Sequence, residues 1–147
     1  MSAYSQTYST KAAAPIDSCF AVLTDFDDYP RWSSPVTSAR VLERYPDGMP
    51  KRVAFVLDMT IRTVRYTLEY TWTPPSGGTW RMVEGDIAGI EGEYRFTRAR
   101  GGSAVTCRQA IDLGFWLPGF LRSTFEQKAL RDSVEEFRRA AEERARA

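Results

Sequence analysis

The chain has 147 residues, of which 43% are hydrophobic and 27% charged, and these values exclude a disordered tract or a fibrous repeat. With 20 Lys and Arg against 19 Asp and Glu, the formal charge is +1, so composition indicates no basic surface for nucleic acid. There is no His, which excludes a Ser-His-Asp triad and nearly every zinc site, and we expect neither a metal nor a cofactor.

The N-terminal segment predicts a strand near Tyr4–Lys11 and lacks the basic and apolar regions of a signal peptide. Cys19 and Cys107 lie far apart in the sequence, so we interpret them as reduced thiols and expect a cytoplasmic protein. No apolar run approaches the ~18 residues that span a bilayer, so we expect no stable membrane insertion.

Two short helices are predicted after this first strand. A proline suited to a first helical turn, followed by apolar residues at Ile16, Phe20 and Leu23, predicts a helix over residues 15–23. A short helical turn over Phe26–Trp32 follows it.

Six more strands are predicted, beginning with one near Val36–Arg44, and turn sequences at residues 45–48, 74–78 and 100–103 separate several of them. Alternation of apolar and polar residues indicates half-buried antiparallel strands. The clearest case is Arg65–Trp72, where bulky residues alternate with Arg, Thr and Glu. One face of the predicted sheet is therefore exposed to solvent, and the other is covered by further elements of the fold.

The last predicted element is a long helix from Pro118 to about Arg144. Leu130, Val134, Phe137 and Ala141 are spaced four, three and four residues apart and form one apolar stripe. A single straight helix cannot fill the concavity of a twisted sheet of about seven strands. We therefore expect an apolar pocket between them unless large side chains fill it.

Three motifs carry a family resemblance: APID at residues 14–17, FDDYPRW at 26–32, which is similar to a Y-P-x-W signature, and LPGFL at 117–121. In this order they resemble the SRPBCC superfamily of START, polyketide cyclase/dehydrase and coenzyme-Q-binding-like helix-grip proteins. The resemblance covers essentially the whole chain and implies a single α+β domain over residues 1–147. The implied fold is a curved antiparallel sheet of about seven strands wrapped on the long C-terminal helix, with two short helices after the first strand. It also implies a hydrophobic cavity between the sheet and the long helix.

Strand alternation and position predict which residues line that cavity. The predicted ligand-binding residues are Trp32, Phe55, Leu57, Tyr66, Leu68, Tyr70, Trp80, Met82, Tyr94, Cys107, Gln109, Ile111, Trp116 and Phe120. Several have a second interpretation: Trp32 as a core residue, the tyrosine hydroxyls as partners of neighbouring strands, and Gln109 as part of an internal hydrogen-bond network. We favour the interpretation of Cys107 as a small apolar residue of the core over its interpretation as a nucleophile.

Glu84 shares its alternation with Trp80 and Met82, which would point it inward as an acid or base with a raised pKa. A bulge at the following Gly85 would instead turn it outward, and we favour a solvent-facing carboxylate. Glu84, Tyr66 and Tyr70 are the candidate catalytic residues if the protein is an enzyme.

Three functions stay open. The favoured one is binding or transport of a small hydrophobic molecule, such as a lipid, polyketide or quinone, by a monomer or homodimer. The alternative is a polyketide cyclase or aromatase that uses acid/base chemistry without metal. The third is a protein-interaction module with a closed interior.

Overall fold

A computed structural model describes residues 5–60, 62–114 and 118–147, without the side chains of residues 119–121 and 123. It confirms the predicted α+β helix-grip fold. The elements in chain order are β1 Ser5–Ala12, α1 Ile16–Thr24, a 3₁₀ turn Phe26–Asp28, α2 Tyr29–Trp32, β2 Val36–Arg44, β3 Pro50–Asp58, β4 Thr63–Thr73, β5 Gly77–Gly85, β6 Gly89–Ala99, β7 Gly102–Asp112 and α3 Gly119–Arg146.

The seven strands form one antiparallel sheet in the order β1-β7-β6-β5-β4-β3-β2. Strands β2 to β7 follow each other as neighbours, whereas β1 pairs with β7 at the far edge. The chain therefore has to cross from one edge of the sheet to the other between β1 and β2. Helices α1 and α2 make that crossing, which places them at one end of the sheet's concave side.

The two faces of the sheet differ as the alternation predicts. On β4, Leu68 and Tyr70 are buried on the concave face. Glu69 faces the other way, where its carboxylate lies 2.6 Å from the guanidinium of Arg81 on β5. Apolar side chains on one face and ion pairs on the other mean that only the concave face needs a cover.

Helix α3 is that cover, and its C-terminal half is the tightly packed part. Val134 and Phe137 are fully buried. The Phe137 ring stacks on Tyr94 and Phe96 of β6, with centroid distances of 4.6 Å and 5.6 Å. At the sheet edge, the Tyr8 hydroxyl donates a 2.8 Å hydrogen bond to Glu135. The helix is thus fixed to the sheet over its second half.

A bulge in β5 changes which way one predicted site residue points. Thr67 pairs with Glu84, but the next residue of β4, Leu68, pairs with Met82, so Val83 is an extra residue. Because one inserted residue shifts the alternation by one, Glu84 lies on the outer face with Thr67 and is exposed. The structure therefore shows the solvent-facing carboxylate that the sequence favours for Glu84, and the alternative inward orientation is wrong because of the bulge.

We expect Phe137→Ala to lower the free energy of unfolding by about 3–5 kcal/mol, because it leaves a cavity where a fully buried ring stacks on Tyr94 and Phe96. Phe125→Ala on the same helix is the matched control. Its side chain is 37% exposed, so its truncation should cost about 1 kcal/mol or less. Urea unfolding followed by circular dichroism measures both. Equal losses would contradict the assignment of Phe137 as the anchor.

Candidate functional site

A cavity of about 440 Å³ lies between the concave face of the sheet and α3. Helix α3 contacts the sheet mainly at β1 and β7, and Phe137 reaches Tyr94 of β6. The cavity is lined by Phe125, Glu126, Ala129 and Leu130 of the same helix, which face the strands farther from that edge. An interaction module with a closed interior, the third sequence-based hypothesis, does not fit this open volume.

Most of the predicted binding residues lie on the cavity wall. They are Trp32, Phe55, Leu57, Tyr66, Leu68, Tyr70, Trp80, Tyr94, Cys107, Gln109 and Ile111. Met82 is instead partly buried in the neighbouring core. Trp116 and the Phe120 side chain lie outside the described residues.

The sheet side of the cavity is a nearly continuous aromatic surface. Ring centroids of Phe55 and Tyr66 are 5.6 Å apart, those of Tyr70 and Trp80 are 5.9 Å apart, and those of Trp80 and Tyr94 are 5.8 Å apart. Such tilted pairs hold each other's ring orientation. This wall is suited to flat or bulky apolar molecules.

A glycine positions the central ring of that wall. The Trp80 indole lies across Gly92 of the paired strand β6, and a Cβ atom at Gly92 would be only 2.7 Å from the ring. The indole Nε1 donates a 3.2 Å hydrogen bond to Oε1 of Gln109. Of the two interpretations of Gln109, the structure therefore shows the internal hydrogen bond, on a residue that also lines the cavity.

The tyrosine hydroxyls fall into two groups. The Tyr29 hydroxyl donates a 2.6 Å hydrogen bond to the Leu23 carbonyl and so holds the helical segment in place. Burial alone raises the pKa of Tyr66, and burial is the largest cause of the raised pKa of Tyr70. Both phenols are therefore neutral at ordinary pH, so their hydroxyls on the cavity wall carry a proton that can be donated.

The structure also places on the wall a carboxyl group that the sequence analysis missed. Glu126 of α3 lines the cavity and is only 6% exposed. Its Oε1 atom has no hydrogen-bond partner in the described part of the chain, and the same holds for Nε1 of Trp32. Burial raises the pKa of Glu126, Arg122 lowers it and Asp112 raises it further. Glu126 thus has the buried-carboxyl character that was considered for Glu84.

The two thiols do not provide a nucleophile or a metal site. Burial raises the pKa of Cys107 to about 12, and it also raises the pKa of Cys19. Both sulfurs are therefore protonated thiols near neutral pH. Within residues 5–60, 62–114 and 118–147, no group of three or more acidic or thiol side chains is placed to hold a metal ion.

Ultraviolet titration tests the burial of the cavity tyrosines. Burial raises the pKa of Tyr29, Tyr66, Tyr70 and Tyr94 above the ordinary value, so these phenols should stay neutral as the pH passes about 10. The unfolded chain releases these protons at about pH 10, so stability should fall as the pH rises above that value. The control is the same titration in urea, where all seven tyrosines should ionise together. Ionisation of all seven near pH 10 in the folded protein would contradict the buried wall.

None of the described helices has the length and hydropathy that a bilayer-spanning segment requires.

Comparison with known proteins gives a family match and a set of structural neighbours. A family model described as polyketide cyclase/dehydrase and lipid transport matches residues 12–138. No curated protein sequence matches the chain closely enough to count as a relative.

Among solved structures, the chain is similar to a START superfamily protein from Mycobacterium smegmatis, with 16% identity, 97% of each chain covered and a TM-score of 0.80. It is also similar to a protein from Thermus thermophilus, with 22% identity, 96% of each chain covered and a TM-score of 0.79. A third neighbour is the Zhui aromatase/cyclase from a Streptomyces species, with 18% identity and a TM-score of 0.63, where 96% of this chain matches 90% of that one. At these identities the neighbours show the shared fold.

Proposed function

The chain belongs to the polyketide cyclase/dehydrase and lipid transport family, and from this premise we propose that it binds a small hydrophobic molecule between the sheet and α3. The observation that carries the proposal is the cavity itself, with its volume of about 440 Å³ and its aromatic and aliphatic wall. Sites for small organic ligands have volumes of roughly 300–1,000 Å³ and a mostly apolar lining with few polar groups.

The energetics of such a site follow from its lining. A ligand that buries ~200 Å² of apolar surface gains about 5 kcal/mol at ~25 cal/mol/Å², before the cost of association is subtracted. The aromatic wall from Phe55 to Tyr94 is held by its own ring contacts, so little ordering is needed when a ligand enters. Apolar burial therefore supplies the affinity, and the few polar groups supply orientation.

A cavity-filling variant tests the location of the site. Ala129 of α3 lines the cavity and is exposed, so Ala129→Phe should fill part of the volume while the helix stays folded. With naphthalene as the probe, we expect the dissociation constant from isothermal titration to rise about tenfold, because lost apolar burial of about 1.4 kcal/mol corresponds to that factor.

Ala145→Phe is the matched control, since Ala145 is exposed on the same helix and lies outside the cavity wall. It should leave naphthalene binding unchanged. Failure of the unmodified protein to bind naphthalene would count against the proposal, as would equal binding by both variants. Native mass spectrometry and organic extraction of the freshly purified protein should release an apolar molecule.

A second candidate function is cyclisation of a polyketide chain in the same cavity, and the buried Glu126 favours it. As a carboxylate, Glu126 could take the proton from a methylene group between two carbonyls. The resulting enolate carbon would form a bond to a ketone carbon further along the chain. Tyr66 or Tyr70 could donate a proton to the alkoxide that this bond creates. In the dehydration that follows, the tyrosinate would take the second proton of the former methylene group and protonated Glu126 would give its proton to the leaving hydroxide. One water is then lost, and both side chains return to their starting states.

This second candidate predicts turnover. Incubation with a poly-β-keto thioester should give a cyclised product that has lost one water. Mass spectrometry detects this product as a mass decrease of about 18 Da. Glu126→Gln should slow its formation by about 10²–10⁴-fold, the usual contribution of a general base. Glu84→Gln is the control, because Glu84 lies on the outer face and should leave the rate unchanged. A rate no faster than in buffer would leave binding as the function.

A further inference from the structure

Glu126 is unusual because it is an acidic residue on the buried stripe of α3. It lies four residues before Leu130, and Leu130, Val134 and Phe137 continue the same stripe with exposures of 5% or less. Residues four apart share one helix face, so Glu126 takes the position of a core residue. At that position the core is replaced by the cavity, and Glu126 forms part of its wall.

One oxygen of the Glu126 carboxyl group lacks the hydrogen-bond partner that buried polar atoms normally have. Its Oε1 atom is shielded from solvent and accepts no hydrogen bond from any described residue. An unpaired buried oxygen is costly, and native structures usually satisfy it with protein, water or ligand. The charged groups that act on it are Arg122 on the preceding helical turn and Asp112 at the end of β7. A hydrogen-bond donor on a molecule in the cavity that Glu126 lines would satisfy this oxygen.

We propose that Glu126 determines the specificity of the cavity by accepting a hydrogen bond from a ligand hydroxyl, so that neutral apolar alcohols and phenols bind in preference to hydrocarbons and carboxylates. This inference rests on the proposed binding function and names the chemical class of its ligand. The hydroxyl provides the donor that Oε1 lacks, while the remainder of the ligand covers the aromatic wall.

Other head groups fit this environment less well. A ligand carboxylate would bring a second negative group beside Glu126 and near Asp112, and like charges in a poorly hydrated site repel strongly. An ammonium group could pair with Glu126, but it would have to lose its water in a cavity walled mainly by aromatic and aliphatic side chains. A hydroxyl group supplies one donor at a much smaller desolvation cost.

The experiment compares probes that share one ring system by isothermal titration at pH 8: naphthalene, 1-naphthol, 1-naphthoate and 1-naphthylmethylammonium. For the unmodified protein we expect 1-naphthol to bind about tenfold more tightly than naphthalene, the factor expected for a hydrogen bond to a charged group. The naphthoate and the ammonium should both bind more weakly than 1-naphthol. Glu126→Leu should reduce the preference for naphthol to about one, and Glu126→Gln, whose amide oxygen is a neutral acceptor, should leave an intermediate preference of about threefold.

Glu143→Gln is the matched control, because Glu143 is an exposed carboxylate on the same helix that pairs with Arg31. It should keep the full preference, and thermal melts show that each variant is folded. If naphthalene itself does not bind, the proposed function fails. If naphthalene binds but 1-naphthol has no advantage, or its advantage survives Glu126→Leu, this inference alone is overturned. Tighter binding of the naphthoate or the ammonium than of 1-naphthol would also overturn it.

Discussion

The attachment of α3 to the sheet through its second half is the constraint on which the rest of the structure depends. Phe137 stacks on Tyr94 and Phe96, and beside it Val134 is fully buried. Helix α3 contacts the sheet mainly at β1 and β7, whereas the twisted sheet of seven strands continues from there to β2. The described residues of α3 that line the cavity lie between Phe125 and Glu136. The cavity therefore lies beside the packed core around Phe137 and is a geometric consequence of where the helix attaches to the sheet.

Much of this architecture could be predicted from the sequence because the signals are local and repeated. Alternation on β4 separates inward from outward residues, and the stripe from Leu130 to Ala141 identifies the covering helix. Alternation fails at Glu84, because it assumes regular pairing and Val83 is an inserted residue in β5. Gly85 was a sign of irregularity, but a bulge is fixed by the pairing of two strands, which no single strand reveals.

The residue that sequence reasoning missed also had a signal. Counting four residues back from Leu130 places Glu126 on the same buried helix face. An acidic residue at that position, however, normally indicates that the apolar stripe has ended. What the sequence could not supply is the reason a carboxylate is tolerated there, namely that the opposing side is a cavity. Gln109 illustrates the same limit, since only the structure shows Trp80 as its donor.

The two kinds of cavity group have different physical roles. Aromatic burial is nondirectional, so the wall from Phe55 to Tyr94 attracts any apolar molecule that fits and distinguishes poorly among them. Discrimination requires directional groups whose hydrogen bonds the protein itself does not complete. Tyr29 and Gln109 have partners within the fold, whereas Oε1 of Glu126 and Nε1 of Trp32 have none among the described residues. The unpaired acceptor of Glu126 and the unpaired donor of Trp32 lie beside apolar side chains, and their lost hydration destabilises the protein without a ligand. A ligand that forms a hydrogen bond with either atom recovers that cost on binding. Selectivity therefore comes from the polar atoms that have no hydrogen-bond partner when no ligand is bound.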